Sequence, residues 1–253
     1  MKNLIDLPRL FFVLSLVVLW FSVSLGAFFG QKVRPLQEEE RGDFGVVQGT
    51  VLTLLSLLIG FTFSMALSRY DQRKNYEEAE ANAIGTEYVR ADLLPAADAA
   101  RVRDSLRKYL DQRVLFYVTR DERQLEQISG STVQLQTELW STVQARAAAS
   151  PTPVVALAVS GMNDVLNSQG YTQAAWWNRI PVEAWALLVA IAICCNALVG
   201  YGTRRMGRLQ HLVLPLAVSI SFFLIADIDS PRRGMIRVQP QNLISLSPSL
   251  QAH

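Results

Sequence analysis

Hydrophobic residues in this chain are grouped into four long runs that contain no charged side chain. The runs cover residues 10–31, 44–68, 184–203 and 209–226, which amounts to 22, 25, 20 and 18 residues. A helix needs about 20 apolar residues to cross the hydrocarbon core of a bilayer. The pattern therefore predicts four transmembrane helices in two hairpins, with spans at about 10–30, 45–68, 182–202 and 209–226. The lipid bilayer is thus the first expected partner.

The polar segment between the hairpins has helical periodicity. Span two is predicted to continue as a rod that ends at Pro95, because Tyr76, Ala79, Ala83 and Tyr88 recur at helical spacing. A second helix is predicted around 102–117, a third over 122–149 with a weak point near Gly130, and a fourth over 154–168. The fold class is therefore an all-α polytopic membrane protein. Its predicted parts are a first hairpin (1–68), a helical domain (69–180), a second hairpin (181–226) and a tail (227–253).

The first run has one alternative interpretation, as a cleaved signal peptide. Lys2 and Arg9 precede it, and Ser24-Leu25-Gly26 is a small-x-small triplet of the kind found at cleavage sites. The run is longer than the apolar core of a typical signal, and a second span follows closely. An uncleaved span fits these features better.

Basic residues near the span ends predict the orientation. Nine lie on the side of the domain, namely Lys2, Arg9, Arg69, Arg73, Lys74, Arg179, Arg232, Arg233 and Arg237. Six lie on the opposite side, namely Lys32, Arg34, Arg41, Arg204, Arg205 and Arg208. Because loops rich in Lys and Arg stay in the cytoplasm, the domain and both termini are expected there. Trp176, Trp177 and Trp185 at the start of span three, with Tyr201 at its end, are expected at headgroup depth.

Composition argues against several functions. The 69–180 segment holds 13 Lys/Arg and 14 Asp/Glu, a net charge of −1, so no basic face for nucleic acid is indicated. The two cysteines, Cys194 and Cys195, are neighbours within span three, and the two histidines form no cluster with them, so no metal site is expected. There is no Gly-x-Ser-x-Gly, phosphate-binding glycine loop or Cys-x-x-Cys. We therefore expect no catalytic residues, no cofactor and no enzyme activity.

Small and hydroxylated residues form a stripe on span two. Gly49, Thr53, Ser56, Gly60 and Ser64 are spaced 4, 3, 4 and 4 residues apart, and Phe63 borders them. At 100° per residue the stripe is about 80° wide. Two hypotheses remain open: the stripe lines a hydrated pathway that Phe63 gates, or it packs against another helix. A similar set on span one, Ser15, Ser22, Gly26 and Gly30, favours packing within the first hairpin.

Other polar residues lie inside or beside the spans. Asn196 is within span three, where an amide is expected to hydrogen-bond a neighbouring helix. Asp227 and Asp229 follow span four and precede Arg232 and Arg233. They are interpreted as interfacial charges paired with juxtamembrane arginines such as Arg69 or Arg179, with an ion or proton relay as the alternative.

Several motifs resemble those of the bestrophin-like membrane proteins of bacteria, a family known mainly as a domain of unknown function. The matching segments are Gly60-Phe61-Thr62-Phe63-Ser64, Arg69-Tyr70, Arg73, Glu80-Ala81-Asn82-Ala83-Ile84, Tyr88, Arg90, Leu94, and the tail from Asp229 to Val238. The resemblance covers about residues 45–240. It implies kinship with bestrophin anion channels, which assemble as rings around a central pore and keep both termini in the cytosol.

The function expected on these grounds is an oligomeric bestrophin-like ion channel or pore in the bacterial inner membrane. The chain is then a multi-pass protein that forms a homo-oligomer. The alternative is a membrane scaffold whose cytosolic helical bundle binds a protein partner.

Overall fold

The structure is a computed structural model that describes residues 7–203 and 210–251. This part of the chain is helical and contains no strand. The helices are α1 (Pro8–Phe28), α2 (Glu40–Arg90), α3 (Ala96–Val118), α4 (Glu122–Ala149), α5 (Pro153–Trp177), α6 (Val182–Tyr201), α7 (Gln210–Asp229) and α8 (Gln241–Gln251). A π-helical turn, Phe29–Val33, follows α1, and a 3₁₀ turn, Ala91–Leu93, follows α2. The all-α prediction is confirmed.

Four helical stretches are long and apolar enough to cross a membrane. They lie within Pro8–Val33, Glu40–Leu93, Pro153–Tyr201 and His211–Asp229, and each overlaps one of the four runs found in the sequence. In α2 the charge-free part is 44–68, and the remainder carries many charges. Of the residues that flank the spans, Lys2, Arg204, Arg205 and Arg208 lie outside the described part of the chain.

Capping residues mark where two helices of the polar segment, α4 and α5, begin. The Asp121 side chain accepts a hydrogen bond from the Arg123 backbone N–H at 3.2 Å, and the Thr152 hydroxyl accepts one from the Val155 N–H at 3.2 Å. Helix α4 passes through Gly130 without a break. Helix α5 does not stop at 168 as predicted but continues to Trp177, because its last turns also bury side chains.

The chain divides into two compact units. The first holds the described residues of 1–69 and 179–237, and the second those of 70–178 and 238–253. In the first unit α1 packs against α6 and α7. The Phe11 ring centre lies 5.2 Å from that of Trp185 and 6.1 Å from that of Phe222. Trp185 is thus a core residue, 3% exposed, rather than the interface residue that its position suggested.

Glycines allow α1 and α6 to approach backbone to backbone. A Cβ on Gly26 would lie 2.0 Å from the Ala197 carbonyl oxygen, and a Cβ on Gly200 would lie 2.0 Å from the Val23 carbonyl oxygen. The Ser22 hydroxyl donates a 2.7 Å hydrogen bond to the Ile193 carbonyl. Ser22, Gly26 and Gly30 therefore serve contacts with the second hairpin, and the interpretation that they pack within the first hairpin is wrong.

The second unit is a helical bundle with its own core. Residues from α2, α3, α4, α5 and α8 form it, among them Ile84, Leu106, Tyr109, Leu139, Met162 and Leu243. Trp176 belongs to this core, since its ring centre lies 4.9 Å from Phe116 and 5.5 Å from Tyr117. It is therefore no interfacial anchor, whereas Trp177 is 75% exposed. Helix α8 also packs in this unit, although the sequence suggested only a tail there.

Candidate functional site

The stripe on α2 is open in the protomer. Its five members, Gly49, Thr53, Ser56, Gly60 and Ser64, are all exposed, and Phe63 beside them is half-buried. No described atom lies within 4 Å of the position that a Cβ would take on Gly49 or Gly60. In the most apolar 18-residue window of α2 only 11% is buried, compared with 39% in α1 and 44% in α7. Contacts among the described residues thus leave this face of α2 unoccupied.

The stripe hydroxyls bond to their own helix. Thr53 Oγ1 donates to the Gly49 carbonyl at 2.9 Å, and Ser56 Oγ donates to the Leu52 carbonyl at 2.9 Å. Each of these hydroxyl oxygens keeps lone pairs that can accept a further hydrogen bond. Such a face can contact water, an ion or another helix without leaving a donor unsatisfied.

One edge of the stripe opens into a cleft between α2 and α7. The cleft has a volume of about 260 Å³, and Ser56 contributes to its wall. The other lining residues are Leu52, Leu55, Ile59, Leu214, Ala217, Val218 and Ser221. The wall is apolar except for the two serines, which suits lipid or protein side chains better than a small polar ligand.

Asn196 is fully buried in α6. Its Nδ2 donates to the Ala192 carbonyl of the same helix at 2.8 Å. Its Oδ1 accepts no hydrogen bond from any described residue. The expected bond to a neighbouring helix is therefore absent from this part of the structure.

The turn after α7 is built around Asp227. Its two carboxylate oxygens accept from the backbone N–H groups of Met235 and Ile236, both at 2.8 Å. The turn is tight, because a Cβ on Gly234 would lie 2.1 Å from the Asp227 carbonyl oxygen. Asp227 thus connects the last turn of α7 to Met235 and Ile236, which belong to the tail motif from Asp229 to Val238.

Asp229 is a fully buried carboxylate at the end of α7. Both of its oxygens accept from the Ile180 N–H at 3.2 Å, and Arg179 Nε lies 3.4 Å from Oδ2. Arg69 Nη1 lies 4.0 Å from Oδ1. The structure therefore places both arginines named from the sequence beside Asp229. Arg232 is half-buried and Arg233 is exposed.

A buried row of six residues, four of them charged, follows one face of α2 in the second unit. Arg73, Glu77, Glu80, Ile84, Glu87 and Ala91 are spaced 4, 3, 4, 3 and 4 residues apart, and none is more than 1% exposed. The residues noted for their helical spacing in the sequence follow a different line along α2, in which Tyr88 is buried and Ala79 is exposed. The buried face could have been recognised in the sequence, because Glu77, Glu80 and Glu87 share a helical spacing of three and four residues with Ile84.

Glu80 joins three helices of the bundle. Its carboxylate accepts from Arg113 on α3, with Arg113 Nη2 at 3.4 Å, from the Tyr117 hydroxyl at 3.3 Å and from the Thr172 hydroxyl at 3.2 Å. Burial and then the charge of Glu80 raise the pKa of Tyr109 and of Tyr117. Both phenols stay neutral, so the Tyr117 hydroxyl keeps the proton that it donates to the Glu80 carboxylate.

Glu77 holds the first turn of α8. Its carboxylate accepts from the backbone N–H groups of Asn242 at 2.9 Å and Leu243 at 3.0 Å. At the other end of α8, the Leu250 carbonyl accepts from the Tyr88 hydroxyl at 2.7 Å and from Arg107 Nε at 2.9 Å. The C-terminal helix is therefore fixed at both ends by polar side chains of the bundle.

Comparison with known proteins identifies the family. The sequence model of the bestrophin-like domain matches residues 11–243. The chain belongs to the bestrophin-like family. The resemblance found in the sequence is thereby confirmed, and the family match extends over the four helical stretches and the bundle. No curated protein matches this bestrophin-like chain.

Solved structures share the fold of this bestrophin-like chain. A variant of a bacterial bestrophin homologue from Klebsiella pneumoniae has 12% sequence identity and a TM-score of 0.67, with 97% of this chain and 98% of that chain covered. A second variant of the homologue has 13% identity and a TM-score of 0.65, with coverage of 96% and 97%. A third has 13% identity and a TM-score of 0.64, with coverage of 96% of each chain.

Proposed function

We propose that this chain is the subunit of an oligomeric ion channel in the bacterial inner membrane and that the stripe on α2 lines its pore. One observation carries the proposal: the five stripe residues are exposed in the protomer, whereas the small residues of α1 are used in contacts with α6. Membership in the bestrophin-like family supports the same function.

In this proposal copies of the chain surround an axis and turn their α2 stripes toward it. The backbone at Gly49 and Gly60 and the hydroxyls of Thr53 and Ser56 then face water. Oxygen atoms at such positions replace part of the hydration shell of a passing ion. Phe63 borders the stripe and forms an apolar constriction, where a narrow pore loses its water.

The proposed orientation places the second unit and both termini in the cytosol. It rests on the count of basic residues near the spans, with nine on the side of the polar segment and six on the other. No enzymatic step is part of this function.

Ion flux through liposomes that contain the purified protein tests the proposal. The wild type should pass small ions, and Phe63→Ala should raise basal flux because it widens the apolar constriction. Thr53→Lys and Ser56→Glu should change the ratio of anion to cation flux in opposite directions, since a full charge in a narrow pore outweighs a hydroxyl dipole. Flux is measured with a set of chloride, nitrate, sodium and potassium salts.

Phe61→Ala is the matched control. It removes the same ring from a 62%-exposed position about 100° from the centre of the stripe, and it should leave basal flux unchanged. Equal effects of Phe61→Ala and Phe63→Ala would contradict the gate. A membrane scaffold that binds a protein partner predicts no flux from the wild type and none from Phe63→Ala. An oligomer structure in which neighbouring helices cover Thr53, Ser56 and Ser64, without a water path, would also overturn the proposal.

A further inference from the structure

Glu87 differs from the other buried carboxylates of α2. Glu77 and Glu80 each accept several hydrogen bonds, but neither oxygen of Glu87 has a hydrogen-bond partner among the described residues. Its side chain is nevertheless fully buried. A buried carboxylate without donors is costly, whereas the protonated acid is far less so.

The space for this carboxyl group is provided by a glycine of α5. A Cβ on Gly161 would lie 2.0 Å from Glu87 Oε2 and 2.5 Å from Arg90 Nη1. The ends of both side chains therefore occupy the space that a side chain at position 161 would fill, at the contact between α2 and α5. Neither oxygen of Glu87 accepts a hydrogen bond from Arg90.

Two charged groups act on Glu87, and they oppose each other. Burial is the main influence and raises the pKa of Glu87 from 4.5 to about 8, while Arg90 on the same helix lowers it and Asp164 on α5 raises it. Glu87 lies 19 residues beyond Ser68, the last residue of the charge-free run, so it is outside the membrane-spanning segment. The carboxyl proton of Glu87 can therefore exchange with the aqueous phase.

We propose that the contact between Glu87 and Gly161 is a proton-dependent joint between α2 and α5. With Glu87 protonated, the two helices pack as the structure shows them. Ionisation moves the carboxylate away from Gly161 toward water and loosens α5 from α2. The joint is independent of the pore, so a failed test of either proposal leaves the other standing.

The direction of the pH effect follows from linkage. The folded state keeps the proton of Glu87 up to about pH 8, and the unfolded state releases it near pH 4.5. Folding stability from this residue is therefore fully present below about pH 4.5 and is lost as the pH rises toward 8. Above that range both states are ionised, and no further change is expected.

Unfolding of the full-length protein in detergent, measured between pH 5 and 9.5, tests the joint. Glu87→Gln is the neutral isostere, and it should remove the pH dependence that Glu87 causes. From pH 5.5 to 8.5 the folding constant of the wild type should fall at least about tenfold relative to this variant. Glu78→Gln, at an exposed position on the same helix, is the matched control and should run parallel to the wild type.

A second variant tests the geometry. Gly161→Ala places a methyl group where the Glu87 carboxyl lies, and the flexible ends of Glu87 and Arg90 can yield to it. The displaced carboxyl should gain water, so this variant should show a smaller pH dependence than the wild type. Hydrogen exchange, corrected for its intrinsic pH dependence, should show α5 less protected at pH 9 than at pH 6 in the wild type only. Parallel pH profiles of the wild type and Glu87→Gln, or unchanged protection of α5, would overturn the proposal.

Discussion

Glu77, Glu80 and Arg113 occupy core positions of the second unit because each finds its partner on another helix. The pair of Glu80 and Arg113 is the clearest case, with both side chains no more than 2% exposed. The Arg113 guanidinium also lies over the Phe116 ring, 4.5 Å from its centre. Removing two charges from water is costly, and geometry this close offsets the cost only while both partners are present.

We predict that Arg113→Met lowers the free energy of unfolding by about 3–5 kcal/mol, since it leaves the Glu80 carboxylate buried without its cation. Denaturant unfolding of the detergent-solubilised protein, followed by circular dichroism, measures the loss. Adding Glu80→Leu to this variant should restore much of the stability, because the unpaired charge is then absent.

Arg101→Met is the control for this prediction. Arg101 pairs with Asp98 at 2.5 Å, but its side chain is 68% exposed. Exposed pairs contribute only about 0–1 kcal/mol, so this variant should unfold almost like the wild type. A loss as large as that of Arg113→Met would show that burial does not determine the effect.

At the scale of the helices, glycine has two different roles in the membrane-spanning part. Gly26 lies where a Cβ would meet the Ala197 carbonyl oxygen, whereas Gly60 has open space around it in the protomer. The first glycine serves packing within one chain. The second belongs to a face that the protomer leaves uncovered.

Leucine at these two sites should therefore have separable effects. Gly26→Leu forces α1 away from the α6 backbone and should prevent folding, seen as loss of monodisperse protein in size-exclusion chromatography. Gly60→Leu should leave the protomer folded, with wild-type helix content, but should reduce assembly or ion flux, because the pore proposal leaves little room there. Leu58→Phe lies more than 100° from the stripe centre and should be tolerated in both assays. Wild-type assembly and flux in Gly60→Leu would contradict the proposal that the stripe lines the pore.

The helices themselves were largely readable from the sequence, because their determinants are local. Asp121 caps α4, and the Pro151 region ends it, so the predicted range of 122–149 agrees with the structure. The buried face of α2 was not readable in the same way. Glu80 finds partners 33 and 92 residues away, and a lone sequence presents such a residue as a solvent-exposed helix former. The stripe was readable as a pattern, but its exposure in the described part of the protomer depends on how distant helices pack.

At the scale of the whole molecule, the proposed orientation rests on the distribution of basic residues near the span ends. The juxtamembrane arginines Arg69 and Arg179 lie beside Asp229. Their two positive charges exceed the single negative charge of that carboxylate. In the loop between α1 and α2, Arg34 lies 3.2 Å from Glu40 and Arg41 lies 3.6 Å from Glu38, which reduces the net positive charge of that loop. Because acidic residues contribute little to this rule, the proposed orientation rests on the count of basic residues.

The orientation predicts which engineered cysteines react with a membrane-impermeant thiol reagent in intact cells. In a background with Cys194→Ala and Cys195→Ala, Glu38→Cys should be labelled, because the loop between α1 and α2 faces away from the cytosol. Ala97→Cys, which also lies at an exposed position, should be labelled only after the cells are permeabilised. Labelling of both sites in permeabilised cells is the control for reactivity. Labelling of Ala97→Cys but not of Glu38→Cys in intact cells would reverse the orientation and would place the second unit outside the cytosol.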